Sequence, residues 1–225
     1  MTRKKLPLDQ LQPTQPLIYL ITSGLTDEHT TPATKDFLDI VSLVRSAVAA
    51  QIDLIQVREK NLSASVLYQL ASIAVGLSRD TSTRLLINDR SDIAAASGAD
   101  GVQLTSSSLP AAVVRQAFGD EFLIGVSTHS LEQAAAARKG GADFAVFGPV
   151  FATASKKKYG EALGLEALKR ACSELRSFPI LAIGGINVSN AADCVTAGAR
   201  GVAAIAMLQQ PETLAEVATE IRRTW

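Results

Sequence analysis

The chain has 225 residues, of which 47% are hydrophobic, and its 22 basic and 22 acidic side chains give a formal net charge of zero. The apolar share is sufficient for one large core. The balanced charge favours neither a nucleic-acid partner nor an anionic membrane, and no apolar run reaches transmembrane length. We therefore expect a globular protein whose partners are small molecules.

The first sixteen residues, which contain Pro13 and Pro16, predict a loose arm. From Leu17 onward, short apolar runs alternate with longer segments of helical period. The runs are almost continuously hydrophobic, which is typical of parallel strands covered on both faces. The predicted strands are Leu17–Ile21, Leu54–Val57, Arg84–Ile87, Gly101–Leu104, Phe122–Val126, Phe144–Phe147, Ile180–Ile183 and Gly201–Ile205.

The segments between the strands predict helices, as in 39–50, where apolar residues recur on one stripe. Ser130 with Gln133 has capping-box spacing, and Ser189 marks another helix start. The predicted helices are Asp39–Ala50, Ser63–Leu77, a short one opening at Asn88–Asp92, Leu109–Phe118, Leu131–Lys139, Leu165–Leu175, Ser189–Ala197 and Pro211–Arg223. Eight strand–helix pairs predict a single (β/α)8 TIM barrel over residues 17–225. The alternative is a doubly wound open sheet, which the lack of G-x-G-x-x-G after the first strand disfavours.

Cys172 and Cys194 lie far apart in helical segments and show no metal-binding spacing. They predict buried apolar residues in a reducing compartment. The N-terminus lacks the apolar core of a signal peptide, so we expect a cytoplasmic location. The polar segment 23–34 after the first strand predicts either a lid or, more in keeping with its composition, a solvated insertion.

In such barrels, chemistry collects at the carboxyl ends of the strands. The sixth predicted strand is followed by a glycine, a proline, the hydroxyls of Thr153 and Ser155, and Lys156. Hydroxyls, backbone N–H groups and an ammonium can together bind phosphate. The alternative for Lys156 and the two lysines that follow it is a solvated loop.

The second strand runs into Gln56, Arg58 and Lys60, which alternation points to one side. One amide and two cations suit an anion of high charge, such as a diphosphate. The alternative is a structural salt-bridge cluster with Glu59.

The third strand is followed by Asn88 and Asp89. An aspartate beside a phosphate site indicates Mg²⁺, although Asp89 also suits an N-cap of the next helix. The fifth strand is followed by Ser127 and His129, one of only two histidines. His129 is a candidate acid/base at a barrel mouth, or a structural histidine.

The fourth strand leads into Gln103–Pro110, a hydroxyl-rich segment without a carboxylate that reads as a turn with a helix cap. The seventh and eighth strands are followed by Gly184 and Gly185 and by Ala206 and Met207. The loops after these two strands commonly form a phosphate cradle from backbone N–H groups.

These motifs occur together in one family. From about Leu17 to the C-terminus, the chain resembles the thiamine phosphate synthase/TenI superfamily. The motifs that carry the resemblance are Gln56-x-Arg58-x-Lys60, Asn88-Asp89-Arg90, Gly125-Val126-Ser127-Thr128-His129, Gly148-Pro149-Val150-Phe151-x-Thr153-x-Ser155-Lys156 and Ile183-Gly184-Gly185-Ile186.

The resemblance implies one of two reactions. A synthase joins hydroxymethylpyrimidine diphosphate to thiazole phosphate and releases diphosphate with Mg²⁺. A TenI-type tautomerase aromatises thiazole phosphate carboxylate without metal, with His129 at the acid/base position. For the synthase, the resemblance implies a diphosphate site at Gln56, Arg58, Lys60, Asn88 and Lys156, with Mg²⁺ on Asp89. It implies a thiazole phosphate site at Thr153, Ser155, Gly184, Gly185 and Ala206. It places Ser127 by the pyrimidine and the leaving group.

The chain departs from the synthase pattern at three positions. Ser108 replaces an aspartate that is the second Mg²⁺ ligand, which makes this loop more similar to TenI proteins, and Ala206 and Ser23 replace a serine and an aspartate. We favour the synthase because the full diphosphate set exceeds what a metal-free tautomerase requires. A third hypothesis is a barrel that binds thiazole or thiamine phosphate without catalysis. Members of the family often associate, so a homo-oligomer is possible.

Overall fold

The computed structural model describes residues 15–152 and 161–223. In this part of the chain, eight parallel strands close into a barrel in sequence order, and each strand precedes one α-helix. The predicted (β/α)8 barrel is confirmed, and the open-sheet alternative is wrong. The strands are β1 (Leu17–Ile21), β2 (Leu54–Val57), β3 (Arg84–Asn88), β4 (Gly101–Leu104), β5 (Leu123–Thr128), β6 (Phe144–Phe147), β7 (Ile180–Ile183) and β8 (Gly201–Ala204).

The helices lie outside the barrel and cover its strands. They are α1 (Lys35–Ala49), α2 (Ala64–Ser78), α3 (Ser91–Ser97), α4 (Ala111–Phe118), α5 (Leu131–Lys139), α6 (Gly164–Glu174), α7 (Val188–Thr196) and α8 (Leu214–Arg223), with a 3-10 turn at Ala206–Leu208 before α8. Within the described residues, no helix is long and apolar enough to cross a membrane. The predicted arm falls almost wholly on residues 1–14, outside the described part.

The strands separate two apolar clusters, which explains why their hydrophobicity is nearly continuous. The smaller cluster fills the barrel and includes Tyr19, Leu54, Leu86 and Phe144. The larger one lies between strands and helices and takes the alternate strand residues, such as Ile55. Because side chains alternate along a strand, burial on both faces leaves few polar positions within it. Polar residues inside the barrel are therefore informative.

Two element boundaries differ from the predictions in ways that affect the site. β5 extends to Thr128, so Ser127 belongs to the strand, and β3 likewise includes Asn88. The sequence does not reveal these extensions, because polar residues normally signal the end of a strand. At a barrel mouth, however, polar side chains can belong to the hydrogen-bonded strand itself. Helix α7 begins at Val188, and Asn187 caps it through a capping box with Asn190, so Ser189 is not its N-cap.

The amino ends of the strands are held by a repeated aspartate contact. Directly before β2, β4 and β6 stands an aspartate. Its carboxylate accepts a backbone N–H from the neighbouring strand, β1, β3 or β5, and also faces an arginine. Asp53 accepts from Ile18 N at 2.9 Å and lies 3.5 Å from Arg222. Asp100 accepts from Leu85 N at 2.8 Å and lies 3.1 Å from Arg84. Asp143 accepts from Ile124 N at 2.7 Å and lies 2.8 Å from Arg115. The polar side chains at this end are therefore committed to contacts within the fold.

Candidate functional site

Inside the barrel, the apolar filling gives way to polar side chains toward the carboxyl ends of the strands. Four strands contribute one such residue each. Each lies two positions after a site on the strand that faces the barrel interior, so it faces the interior as well. They are Gln56 on β2, Asn88 on β3, Gln103 on β4 and Ser127 on β5. Pairing of Asn88 with Gln103 and of Gln103 with Gly125 places these strands side by side. The four residues form the polar floor of the barrel mouth.

The predicted diphosphate residues Gln56 and Asn88 meet directly. Gln56 Nε2 donates to Asn88 Oδ1 at 3.0 Å, and Gln56 is only 2% exposed. Because this bond uses the oxygen of the Asn88 amide, its two N–H donors stay available for another acceptor. Asn88 itself is half-buried. The pair therefore presents an oriented donor at the mouth, as an anion requires.

Arg58 and Lys60 follow β2, which ends at Val57. Arg58 is half-buried and Lys60 is exposed. Neither side chain forms an ion pair within the described residues. The alternative of a salt-bridge cluster with Glu59 is wrong, and both cations remain free to face an anion.

Glu59 instead holds the segment after β1. Its buried carboxylate accepts from Gly24 N at 3.1 Å, Thr26 N at 3.4 Å and Thr26 Oγ1 at 2.8 Å. Thr22 Oγ1 accepts the Arg58 N–H at 2.8 Å, and Asn61 donates to the Thr26 carbonyl at 3.0 Å. The segment is thus anchored at Gly24 and Thr26 to the loop that carries Arg58, while most of its remaining residues are exposed, as expected of a solvated insertion.

Asp89 lies exposed after β3 with a left-handed φ of 64°, a conformation that aspartate tolerates better than most residues. Helix α3 begins beyond it, with Arg90 at the N-cap and no side-chain cap bond. The N-cap alternative for Asp89 is therefore wrong. Arg90 forms a double hydrogen bond with Asp92 at 2.9 and 2.6 Å, which lowers the pKa of the Asp92 carboxyl.

The residues around Asp89 fit Mg²⁺ only as a one-carboxylate site. Within the described residues, the Asp89 carboxylate has no hydrogen bond, and no group of three or more acidic, histidine or cysteine residues could hold a metal. Ser108 Oγ accepts the Thr105 N–H at 2.7 Å and is committed to its own turn. Mg²⁺ often keeps several waters and takes the rest of its ligands from one carboxylate and substrate phosphates.

Ser127 is half-buried and accepts a hydrogen bond from Gln103 Nε2 at 3.1 Å. The amide oxygen of Gln103 accepts in turn from the Tyr19 hydroxyl at 3.2 Å. Tyr19 and Gln103 are 0% and 2% exposed. Tyr19 has no role in the predictions from sequence, and Gln103 is counted there both in the fourth strand and at the start of the hydroxyl-rich segment after it. The signal available in the sequence was a glutamine inside a predicted buried strand, at a position that apolar side chains normally fill.

His129 is half-buried just beyond β5, and its Nδ1 is hydrogen bonded to the Gly148 carbonyl. A carbonyl can only accept, so Nδ1 carries the proton and Nε2 is unprotonated in the neutral ring. The His129 backbone N–H donates to Gln133 Oε1 at 2.7 Å, while Ser130 caps α5 by accepting from the Gln133 N–H at 3.3 Å. The Gly148 contact orients the His129 ring, and the two contacts of Gln133 hold the backbone that carries it.

The loops after β6 and β7 pack tightly against each other. Phe151 N donates to the Gly184 carbonyl at 3.0 Å, and a Cβ on Gly185 would lie 2.6 Å from the Ala152 carbonyl oxygen. Both glycines have positive φ, 97° and 64°, which a larger residue rarely adopts. Within the described residues, the backbone N–H groups of Gly185 and Ala206 donate no hydrogen bond. Both N–H groups are therefore available to a ligand.

Three predicted phosphate residues, Thr153, Ser155 and Lys156, lie outside the described residues. The two cysteines are away from the mouth, in α6 and α7. Burial raises the pKa of Cys172 to about 11 and that of Cys194 to about 12, which keeps both as thiols. Both cysteines are free; Cys194 is buried as predicted, whereas Cys172 is only half-buried.

Residues 21–208 match the TMP-TENI family, described as thiamine monophosphate synthase. The chain belongs to this family. Among members of the thiamine monophosphate synthase family, a putative thiamine-phosphate synthase of Geobacter sulfurreducens is 45% identical over 175 residues, 77% of this chain and 82% of that protein. The thiamine-phosphate synthase of Chlorobium luteolum is 39% identical over 197 residues, 88% of this chain and 89% of its own. The solved thiamine phosphate pyrophosphorylase of Pyrococcus furiosus aligns with a TM-score of 0.77 at 31% identity, covering 92% of this chain and 94% of that one.

Proposed function

We propose that this protein is a thiamine-phosphate synthase, a transferase that joins hydroxymethylpyrimidine diphosphate to thiazole phosphate and releases diphosphate. The observation that carries the proposal is the pairing of Gln56 with Asn88, beside two unpaired cations and the free Asp89 carboxylate. This group of residues exceeds what a metal-free proton transfer requires. The synthase names of the relatives support the same reaction.

In the proposed reaction, the bond between the pyrimidine methylene carbon and the diphosphate oxygen breaks first. The electron pair leaves with the diphosphate, and the resulting pyrimidine cation is captured by the lone pair of the thiazole nitrogen. Arg58, Lys60 and Asn88 stabilise the charge that develops on the departing oxygens, as positioned donors do in other transfer reactions. Gln56, buried and bonded to Asn88, holds that donor in place.

Mg²⁺, held by Asp89 together with water and substrate oxygens, would supply further positive charge to the diphosphate. We propose that the backbone N–H groups of Gly185 and Ala206 bind the thiazole phosphate, with Gly184 shaping the turn and Thr153, Ser155 and Lys156 completing the anion sites. A neutral backbone cradle suits a phosphate that stays bound while the diphosphate leaves.

A second candidate reaction is the tautomerisation of thiazole phosphate carboxylate. Its support is the hydrogen bond of His129 Nδ1 to Gly148, which leaves Nε2 free to accept a proton. Ser108, in place of a second carboxylate and bonded within its own turn, is also compatible with metal-free chemistry. Because both reactions use a thiazole phosphate, one mouth could serve either.

Product analysis with both sets of substrates, with and without Mg²⁺, tests the proposal. We expect Mg²⁺-dependent formation of thiamine phosphate and diphosphate in equal amounts. Fast tautomerisation without any condensation would reverse the assignment. Calorimetric binding of thiazole phosphate or thiamine phosphate, with no product in either assay, would instead support the non-catalytic binding protein.

Two substitutions separate the two reactions. We expect Asp89→Ala to reduce condensation about 100-fold, since it removes the carboxylate proposed for Mg²⁺, and to leave tautomerisation within a few-fold. We expect His129→Ala to abolish tautomerisation, because general-base catalysis contributes about 100-fold or more, and to reduce condensation only partly. Equal effects of each substitution in both assays would contradict the two roles.

We further propose that the protein works in the cytoplasm on small phosphorylated heterocycles, without nucleic-acid or membrane partners. The charge balance and the lack of a membrane-spanning helix within the described residues support this. A homo-oligomer remains a proposal that sedimentation can test.

A further inference from the structure

A hydrogen-bonded path runs from the centre of the barrel to Ser127. The Tyr19 hydroxyl donates to Gln103 Oε1 at 3.2 Å, and Gln103 Nε2 donates to Ser127 Oγ at 3.1 Å. Tyr19 is 0% exposed and Gln103 is 2% exposed. Because water does not reach these groups, they must satisfy their hydrogen bonds with each other.

The direction of this path follows from the chemistry of the phenol. A phenol has one proton, and within the described residues the Tyr19 hydroxyl has no hydrogen-bond partner other than Gln103. If the Gln103 amide were turned over, its Nε2 would donate to the Tyr19 oxygen and the phenol proton would be buried without an acceptor. Burial also raises the pKa of Tyr19, so the proton is retained. The amide oxygen therefore faces Tyr19.

Packing keeps the path in this arrangement. The Tyr19 ring meets Phe144 edge to face, with centroids 5.9 Å apart and planes at 72°. The Gln103 amide lies against Gly125, where a Cβ would be 2.3 Å from Oε1. A glycine at this position is what allows the amide to reach between the two strands.

Ser127 is where the direction of the path matters. Its oxygen accepts from Gln103, so its own proton is not used in that bond and remains for a partner in the mouth. We infer that Tyr19 and Gln103 are positioning residues that hold Ser127 as a hydrogen-bond donor to an oxygen of the departing diphosphate. This inference rests on the proposed function, because it takes diphosphate as the occupant of the mouth.

Tyr19→Phe tests the inference because it removes the phenol proton and keeps the ring. Without that proton, the Gln103 amide can turn over and Ser127 then donates to Oε1 instead of to the substrate. We expect kcat to fall about tenfold, the Kd for inorganic diphosphate with Mg²⁺ to rise several-fold, and the KM for thiazole phosphate to stay within twofold. Tyr68→Phe is the matched control, since Tyr68 is 45% exposed on α2, and it should behave as the unmodified protein.

A double-mutant cycle separates an effect through Ser127 from a general loss of structure. We expect Ser127→Ala alone to weaken diphosphate binding and to lower kcat. Adding Tyr19→Phe to Ser127→Ala should then change neither value further, because the residue through which Tyr19 acts is gone. Additive effects in the double variant, or a Tyr19→Phe variant equal to the unmodified protein in both measurements, would overturn the inference.

Gln103→Glu gives a second measurement that does not depend on Tyr19. An ionised carboxylate can only accept, so Ser127 would donate to it at both orientations. We expect a larger loss of kcat than with Tyr19→Phe, partly recovered at low pH where the carboxyl becomes a donor. A pH-independent kcat equal to that of the unmodified protein would contradict the inference.

The diphosphate titration also separates this inference from the proposed function. It requires no turnover. If the unmodified protein forms no thiamine phosphate but the cycle in diphosphate Kd is non-additive, the path is supported and the synthase assignment fails. If thiamine phosphate forms and the cycle is additive, the synthase assignment stands and the path is wrong.

Discussion

Single residues set which side chains can meet at the mouth of this barrel. Gly125 lies on β5 next to Gln103 on β4, and a Cβ there would lie 2.3 Å from Gln103 Oε1 and 2.4 Å from Phe144 Cζ. No real Cβ tolerates such distances, so either the amide or the ring would have to move. The glycine is thus required by its neighbours rather than by its own backbone conformation.

We therefore expect Gly125→Ala to destabilise the protein by about 1–3 kcal/mol, the usual cost of overpacking a filled core. It should also reduce kcat, because the Gln103 amide is displaced. Chemical denaturation would measure the free energy of unfolding. Gly76→Ala is the control: an added Cβ meets nothing within 4 Å on α2, and it should be neutral or stabilising by up to about 1 kcal/mol. If Gly125→Ala is as neutral as Gly76→Ala in its free energy of unfolding, the close-contact explanation is refuted.

At the scale of elements, the loops after β1 and β2 act as one unit. The buried Glu59 carboxylate accepts three hydrogen bonds from Gly24 and Thr26, and the guanidinium of Arg58 lies within 2.9 Å of where a Gly24 Cβ would be. The position of Arg58, which we propose binds diphosphate, therefore depends on a segment that follows β1 rather than β2. Leu25 at the tip of this segment is 85% exposed.

We expect Glu59→Gln to loosen this unit, because the amide replaces one accepting oxygen with a donor that faces other donors. Hydrogen exchange should become faster at the amides of Gly24 and Thr26, and the KM for the pyrimidine diphosphate should rise about tenfold. Glu28→Gln, in the same segment and with an 82% exposed side chain, should change neither measurement. Unchanged exchange in the Glu59 variant would show that the contacts do not hold the segment.

At the scale of the whole molecule, the two ends of the barrel use polar residues differently. At the amino ends of the strands, Asp53, Asp100 and Asp143 each join a backbone N–H to an arginine. At the carboxyl ends, Arg58, Lys60 and Asp89 have no ion pair within the described residues. Paired charges are committed to partners within the fold and are costly to break, whereas free charges at a mouth are available to a ligand.

Asp143→Ala should therefore lower the free energy of unfolding by about 2 kcal/mol, since it removes the acceptor for Ile124 N and the partner of Arg115. The specific activity of the folded protein should not change, because this contact is at the opposite end from the mouth. The control is Asp39→Ala, which breaks an exposed ion pair with Lys35 and should cost no more than about 0.5 kcal/mol. A loss of activity in the Asp143 variant below its unfolding transition would contradict this division.

The sequence alone determined the fold class, the strand order and most of the candidate residues. Apolar runs of strand length separated by helical periods leave few alternatives to a closed parallel barrel, and the family motifs in register confirm it. Polar residues near strand ends, such as Asn88 and His129, were visible because they interrupt those runs. The boundaries failed where a strand continues into polar residues, as in β5.

Only the tertiary structure decided which of these residues work together. Tyr19 and Gln103 are 84 positions apart and meet because their strands face one interior. The attachment of Glu59 to Gly24 and Thr26, and the freedom of Asp89 from helix capping, depend on loop paths that no local pattern specifies. Local periodicity reports which face of a strand is buried, whereas hydrogen-bond partners across a barrel are set by closure and register.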